Sequence, residues 1–253
     1  MTRRPLAGRS VVVTRTREQA SELVARLRDL GADVVELPVI AIDDPADGGE
    51  GLERAAHRLV AGAYSWVVCT STNAVTRLLP ALAGRTVPDG VHWAAVGPGT
   101  ALALARAGID AELVPGVSVS DELAAAFPDL DPPGSATVLF PRAATVRGEL
   151  AEGLRAKGWL VDEVVAYRTV AGAPAPEAVR AAGRAEVMAF TSSSTVDRSV
   201  DLLGVGGIPP VVVTIGPITT ASARRNGLTV AREASPHSID GLVDAVVGAL
   251  RPS

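Results

Sequence analysis

The sequence has few cysteines, histidines and aromatic residues. It contains one cysteine, three histidines and 3% aromatic residues over 253 positions. Because Cys69 is alone, no disulfide forms within the chain. His57, His92 and His237 stand singly, without the spacing of metal ligands, so we expect no metal site. The shortage of stacking residues and the net charge of -4 argue against a nucleic-acid-binding protein, so no nucleic-acid partner is expected.

Long apolar segments are also missing. Although 47% of the residues are hydrophobic, no run reaches the ~18 consecutive apolar residues of a transmembrane helix, so we expect no membrane partner. The first residues, MTRRPLAGRS, are basic, but the following VVVT is too short for the apolar core of a signal peptide. We therefore expect a globular cytoplasmic protein, long enough for two domains of about 100 to 150 residues.

Common catalytic and nucleotide-binding motifs do not occur. No serine lies in a G-x-S-x-G elbow, and there is no G-x-x-x-x-G-K-[ST] phosphate loop. The segment GPGTAL at 97–102 lacks the third glycine of the dinucleotide fingerprint. An NAD-dependent enzyme is therefore a weakly supported alternative, and we expect no cofactor.

What the sequence does contain is an alternation of short β-rich runs and helical patterns. The predicted strands are 10–14, 33–37, 65–69, 92–96, 111–114, 136–140, 160–166, 186–190, 211–215 and 229–232. Between them, apolar residues recur three or four positions apart, as at Leu23, Leu27 and Leu30, where Gly31 suits the end of a helix. This alternation predicts the α/β class with parallel sheets.

The second half of the sequence repeats motifs of the first half. One block, at 65–126, recurs at 186–245, and another, at 11–40, recurs at 138–167. The matches include TSTNAVTR with TSSSTVDR, Gly97-Pro98-x-Thr100 with Gly216-Pro217-x-Thr219, Asp121 with Asp240, and Arg15 and Glu36 with Arg142 and Glu163. The chain is therefore predicted to contain two homologous α/β modules.

Hydroxyl residues follow two of the predicted strands. Residues 191–195 (TSSST) come directly after the apolar run VMAF, and residues 70–73 (TSTN) occupy the repeated position. Hydroxyls at the start of a helix cap its free N–H groups, which is the structural interpretation. Five in a row exceed the needs of one cap, so together with the turns at Gly97 and Gly216 they predict four anion-binding helix starts at the carboxyl ends of strands.

Taken in order, the motifs resemble those of the uroporphyrinogen-III synthase family. They are VVVTR, TSTNAV, AVGPGTA, PR-x(4)-RGEL, VVAYRT, FTSSSTV, IGPITTA and IDGLVDAV, and they run from about residue 10 to 248. The resemblance implies two similar parallel-sheet α/β domains of flavodoxin-like strand order, joined by a two-strand hinge. It also implies a lyase that cyclises hydroxymethylbilane, a linear tetrapyrrole with eight carboxylates, to uroporphyrinogen III with loss of water and inversion of ring D. No cofactor is implied.

The order of the repeated blocks allows two domain arrangements. Tandem duplication would give domains near 1–127 and 128–253. The resemblance implies instead a discontinuous domain, 1–38 plus 172–253, with 44–167 inserted in it and 39–43 and 168–171 as linkers. The segments VIAIDDPADGG at 39–49 and YRTVAGAPAP at 167–176 make similar transitions from a strand to Pro and Gly, and they favour the inserted arrangement.

The resemblance also singles out Tyr167, in VVAYRT, as the catalytic residue; a half-buried strand aromatic is the alternative. Arginines near strand ends are candidates for carboxylate binding, or else solvated surface charges. The candidate substrate-binding residues are Arg15, Thr70, Ser71, Thr72, Asn73, Gly97, Thr100, Arg142, Arg147, Thr191, Ser192, Ser193, Ser194, Gly216, Thr219 and Thr220. We expect a monomer with a tetrapyrrole substrate and transient contact with hydroxymethylbilane synthase. A two-lobed binding protein for a small polyanion is the second interpretation.

Overall fold

The structure, a computed structural model, describes residues 4–15, 17–117, 119–145 and 148–250, with the backbone alone for 17–19. The strands in these residues are β1 Ser10–Val13, β2 Asp33–Glu36, β3 Ile40–Asp43, β4 Trp66–Cys69, β5 His92–Ala95, β6 Thr137–Ala143, β7 Leu160–Ala171, β8 Val187–Phe190, β9 Val211–Thr214 and β10 Val230–Glu233.

The helices between the strands are short. They are α1 Arg17–Asp29, α2 Glu50–Val60, α3 Thr72–Ala81, α4 Pro98–Ala105, α5 Ser120–Ala126, α6 Glu149–Ala156, α7 Pro176–Ala182, α8 Ser193–Leu203, α9 Pro217–Arg225 and α10 Ile239–Ala249, with a 3₁₀ turn at Val205–Gly207. Within the described ranges, no helix combines the length and the apolar character needed to cross a membrane.

The chain divides into two compact units. The described residues up to Ala41 and from Val170 onward form unit 1, and Ile42–Thr169 form unit 2. The division falls within β3 and β7, so most of the residues predicted as linkers, 39–43 and 168–171, belong to strands. The sequence predicts no strand at 40–43, yet β3 joins the unit 2 sheet beside β7. The predicted domain boundaries and the hinge stay predictions.

Unit 1 is built on a five-stranded sheet of order β10-β9-β8-β1-β2, in which every neighbouring pair is parallel. Counted within the unit, this is the 2-1-3-4-5 order of flavodoxin-like folds. Successive residues of β1 pack into two different cores, Val11 and Val13 on one face and Val12 on the other. Because helices cover both faces, the strands are apolar throughout, as in VVV and VMAF.

Unit 2 contains a sheet of order β3-β7-β6-β4-β5. The pairs β4–β5, β4–β6 and β6–β7 are parallel. The predicted strand at 111–114 is reduced to one bridge, Leu113 with Ala94, beside β5. Pro115, which has no backbone N–H to donate, follows two residues later and favours this early end.

The two sheets place the repeated blocks in equivalent positions. Unit 1 reads β2-β1-β8-β9-β10, and unit 2 reads β7-β6-β4-β5 followed by the Leu113 bridge. The register agrees as well, because Arg232 pairs with Val213 where Leu113 pairs with Ala94. The prediction of two similar parallel-sheet α/β modules with flavodoxin-like order is therefore confirmed.

Candidate functional site

In unit 2, the turn after β4 brings Ser71 and Tyr167 together. Ser71 is the N-cap of α3, with an extended backbone (φ -151°, ψ 154°), and its Oγ accepts a hydrogen bond from the Ala74 amide at 3.1 Å. The same Oγ lies 2.9 Å from the hydroxyl of Tyr167, which is buried on β7. Because Ser71 Oγ already accepts from Ala74, its own proton is available to Tyr167. The candidate cap and the candidate catalytic phenol thus share a hydrogen bond.

Other predicted residues of unit 2 lie at the same edge of the sheet. Thr70, Thr72 and Asn73 are partly exposed where β4 leads into α3. Gly97, the extended N-cap of α4, and the buried Thr100 follow β5, the parallel neighbour of β4. Carboxyl ends of adjacent parallel strands meet at one edge, so the first-turn N–H groups of α3 and α4 are gathered there, as anion binding requires.

In unit 1, the run of five hydroxyl residues forms mainly local hydrogen bonds. Ser192 caps α8 by accepting from the Thr195 amide at 3.4 Å, and Thr195 Oγ1 donates to the Ser192 carbonyl at 2.8 Å. Ser194 Oγ lies 3.1 Å from Ser192 Oγ. Ser193 Oγ donates to the carbonyl of Ile218 in the next turn at 3.3 Å. The run therefore builds the start of α8 and connects it to α9; a role in substrate binding stays a prediction.

The turn after β9 contains Gly216, the N-cap of α9, and the two predicted threonines. Thr219 and Thr220 are both buried. Thr220 Oγ1 donates to the Glu233 carboxylate at 2.5 Å and lies 2.6 Å from Thr214 Oγ1. The Thr220 hydroxyl is thus engaged by protein groups, and only a rearrangement would offer it to a ligand.

Sequence reasoning missed two residues beside this turn. His237 Nε2 lies 3.5 Å from Oε1 of Glu233, the last residue of β10. The His237 ring packs against Gly216, where an added Cβ would lie 3.3 Å from the ring Cγ. A lone histidine without metal-ligand spacing carries no motif. The available signal was its place in the loop that follows the last strand, at the same edge as the predicted glycine turns.

Arg142 is held in place by its own unit. Its Nη1 donates to the Ala143 carbonyl at 2.9 Å, and its Nε forms an ion pair with Glu163 at 2.9 Å. Glu163 also pairs with Arg155 at 2.7 Å. The single carboxylate of Glu163 thus faces two guanidinium groups, so the net charge of these three side chains is positive.

The other two predicted arginines differ in what the structure shows. Arg15 directly follows Thr14 at the end of β1, and burial lowers the pKa of its guanidinium while the nearby charge of Glu22 opposes that shift. A desolvated guanidinium near a sheet edge is a suitable partner for a carboxylate. Arg147 lies outside the described residues.

Nucleophilic thiol chemistry is not available to the candidate site. Cys69, the last residue of β4, is fully buried, and burial raises the pKa of its thiol to about 12. The thiol therefore stays protonated near neutral pH. Among the residues whose placement is described, no cluster of three His, Cys, Asp or Glu side chains could hold a metal ion.

A cavity of about 590 Å³ lies at the opposite edge of the unit 2 sheet, at the amino ends of β6 and β7. Three of its polar lining residues pair with one another: Arg58 Nε donates to the Tyr64 hydroxyl at 2.8 Å, and both residues bond to Asp162. This cavity is therefore separate from the candidate site, which lies at the carboxyl ends of the strands.

Comparison with known proteins identifies the family. Residues 21–244 match the family model described as "Uroporphyrinogen-III synthase HemD". The chain belongs to the uroporphyrinogen-III synthase family. A curated member of this family, uroporphyrinogen-III synthase of Synechococcus elongatus, is 29% identical over 265 residues that cover 97% of each chain. The resemblance that the ordered motifs indicate is thus confirmed.

Solved structures of uroporphyrinogen-III synthases share the fold. A structure from Thermus thermophilus has a TM-score of 0.64 at 19% identity and covers 96% of this chain and 98% of its own. One from Helicobacter pylori has a TM-score of 0.64 at 16% identity, covering 96% and 99%. These likenesses show the two-sheet α/β architecture; the site residues of this uroporphyrinogen-III synthase family member stay predictions.

Proposed function

We propose that the protein is a uroporphyrinogen-III synthase, a cyclising hydro-lyase that converts hydroxymethylbilane to uroporphyrinogen III. The observation that carries the proposal is the hydrogen bond between Tyr167 and Ser71 at the start of α3, in a chain that belongs to this family. In the proposed reaction the substrate loses its terminal hydroxyl as water. Ring D then attacks the resulting methylene group of ring A through its substituted carbon, which gives a spirocyclic intermediate. The bond from that carbon to the bridge with ring C breaks and re-forms at the free α-carbon of ring D, which loses its proton, so the ring is inverted.

Tyr167 is the proposed donor to the departing hydroxyl. In the proposed arrangement Ser71 Oγ, which accepts from the Ala74 amide, donates to Tyr167 Oη across 2.9 Å, so that the phenolic proton is free for the substrate. A phenol so oriented is a neutral donor that needs no metal or cofactor. Because the substrate has its own labile leaving group, holding ring D in the reactive conformation contributes more than acid strength.

The eight carboxylates of the substrate are proposed to bind to helix starts. Each unit supplies two: α3 and α4 in unit 2, and α8 and α9 in unit 1, all directly after the carboxyl end of a strand. First-turn N–H groups and hydroxyls are neutral donors, which explains how a protein with a net charge of -4 binds a polyanion. Arg15 and Arg142 are the proposed charged contributors.

We further propose that the enzyme acts as a cytoplasmic monomer and receives its substrate by transient contact with hydroxymethylbilane synthase. The support is chemical, because hydroxymethylbilane closes spontaneously to the uninverted type I isomer. Direct transfer between the two enzymes limits the amount of hydroxymethylbilane that closes to the type I isomer.

The test is incubation of the purified protein with freshly generated hydroxymethylbilane in chelator-treated buffer, followed by separation of type I and type III products. An active synthase forms type III without added metal or nucleotide. A two-lobed polyanion-binding protein would slow spontaneous closure by sequestering the substrate but would form no type III. The product therefore separates the two interpretations.

A further inference from the structure

Thr214, Thr220 and Glu233 form a polar network at the carboxyl edge of the unit 1 sheet, referred to below as the threonine–glutamate network. Thr214 ends β9, Thr220 lies in the first turns of α9, and Glu233 ends β10 in register with Thr214. The two threonine side chains are 0% and 4% exposed. Since Thr220 donates to Glu233 at 2.5 Å, it accepts from Thr214 across 2.6 Å.

The repeated module lacks the whole network. The spacing that aligns Gly97 with Gly216 aligns Thr214 with Ala95, Thr220 with Ala101 and Glu233 with Val114. The structural register supports this alignment, because Leu113 pairs with Ala94 where Arg232 pairs with Val213. Three polar residues in one module thus correspond to three apolar residues in the other.

This difference indicates that the fold does not need the network. Unit 2 builds the same strand, turn and helix around Ala95 and Ala101, which pack in its apolar core. Burying two hydroxyls and holding a carboxylate in one rotamer has a free-energy cost that is only just offset by their hydrogen bonds. A role in unit 1 other than stability is therefore indicated.

The network directs the second oxygen of Glu233 toward His237. Oε2 is bound to Thr220, and Oε1 lies 3.5 Å from His237 Nε2. The imidazole in turn packs on Gly216, the N-cap of α9, whose missing Cβ leaves it room. The His237 side chain remains 57% exposed, so the imidazole is accessible from solvent at this turn.

We propose that His237 is a substrate-binding residue for one carboxylate of the tetrapyrrole, and that the threonine–glutamate network positions it. This inference rests on the proposed function. In the proposed complex the imidazole lies between two carboxylates: Nε2 faces Glu233 at 3.5 Å and Nδ1 donates to the substrate. Without His237, the Glu233 carboxylate would repel a polycarboxylate at this edge. In unit 2, where Val114 replaces Glu233, no such counter-charge is needed.

The first experiment compares His237→Ala and His237→Gln with the wild type. A lost charged hydrogen bond predicts a KM for hydroxymethylbilane raised about tenfold in His237→Ala, with kcat changed less than about twofold. His237→Gln keeps an N–H donor, so its KM should lie between those of the wild type and His237→Ala. The matched control is His92→Ala, since His92 also pairs with a glutamate, Glu112 at 2.8 Å, but stands at the amino end of β5.

The second experiment converts the network to the residues of the repeat. The variant Thr214→Ala/Thr220→Ala/Glu233→Val should fold, because unit 2 has these residues at the same positions. It leaves His237 in place but unsupported, and it also removes the repulsive Glu233 charge, so its KM should rise above the wild-type value but less than in His237→Ala, with little change in Tm. A variant that retains the wild-type KM would overturn the positioning role.

A binding measurement keeps the test separate from the proposed function. Uroporphyrin III, the oxidised product with the same eight carboxylates, is titrated into the wild type, His237→Ala and His92→Ala, and the Kd is read from its fluorescence. We expect a Kd raised about tenfold in His237→Ala only. If the wild type forms no type III product, the proposed function fails, and the Kd comparison alone decides the inference. The inference would be overturned if the wild type and His237→Ala had equal Kd and equal KM. It would also be overturned if a lower Tm of His237→Ala accounted for its weaker binding.

Discussion

The hydroxyl of Tyr167 lies 2.9 Å from the hydroxyl of Ser71, although 96 positions separate them in the chain. Tyr167 belongs to β7 and Ser71 follows β4, and β6 lies between these strands in the sheet. The bond therefore connects a strand to the start of a helix across the carboxyl edge of unit 2. It orients the Tyr167 hydroxyl, which is the proposed donor to the substrate.

Tyr167→Phe keeps the ring in the apolar core and removes only the hydroxyl. Because one hydrogen bond to the leaving group is lost, turnover should fall about tenfold, with residual activity from positioning. The stability loss should stay near ~1 kcal/mol, since one partly buried hydrogen bond is removed. Steady-state kinetics and thermal melts measure the two effects. Wild-type turnover in this variant would remove Tyr167 from the catalytic role.

Ser192 and Ser193 are adjacent hydroxyls with different predicted effects. Ser192 caps α8, so Ser192→Ala should lower the free energy of unfolding by about 1 kcal/mol. Ser193 Oγ donates to the Ile218 carbonyl in an exposed hydrogen bond, so Ser193→Ala should change the free energy of unfolding by less than ~0.5 kcal/mol. If these residues also bind substrate, KM rises in both. Chemical denaturation with parallel kinetics separates capping from binding, and an unchanged KM in both variants would leave capping as the only role.

The sequence predicted the class and order of the elements because their signals are local. Buried parallel strands appear as apolar runs such as VMAF. The repeated motifs indicate which helices begin at the same edge of a sheet. β3 was missed because IAID lies among predicted linker residues and is stabilised by pairing with β7, a contact distant in sequence. Likewise, the strand expected at 111–114 is reduced to the Leu113 bridge.

The site was less predictable than the fold for a related reason. Helix caps such as Ser71 and Ser192 follow from strand-to-helix spacing. The partners of Thr220 and His237 depend on the packing of β10 against β9, which brings Glu233 beside the α9 turn. Contacts between side chains on neighbouring strands leave no short motif, and a single exposed histidine gives no signal.

Cys69 should make stability depend on alkaline pH. Its folded pKa of about 12 exceeds the ordinary value of 9.0, so the folded state holds the thiol proton more tightly than the unfolded chain. This contribution is complete below pH ~9 and is lost as the pH rises toward about 12. Cys69→Ala should be less stable than the wild type near pH 7, and the difference should narrow at pH ~10. Urea denaturation at both pH values measures it; a constant difference would contradict the assignment.

The inserted arrangement predicts which fragments fold. Fragment 44–167 retains β4, β5, β6 and most of β7, four neighbouring strands of one sheet, and loses only the edge strand β3. Fragment 1–127 carries β1 and β2 without β8, and β4 without β6, so both sheets are interrupted. We expect a cooperative circular dichroism melt for 44–167 only. A cooperative melt for 1–127 with none for 44–167 would contradict the inserted-domain model.

The most direct test of the central claim is the isomer composition of uroporphyrinogen as a function of protein concentration. Spontaneous closure and the enzyme compete for the same hydroxymethylbilane, so the fraction of type III should rise with protein concentration until it dominates, and heat-denatured protein should leave type I as the product. A product that stays type I at every concentration of folded protein would contradict the assignment of this chain as a uroporphyrinogen-III synthase.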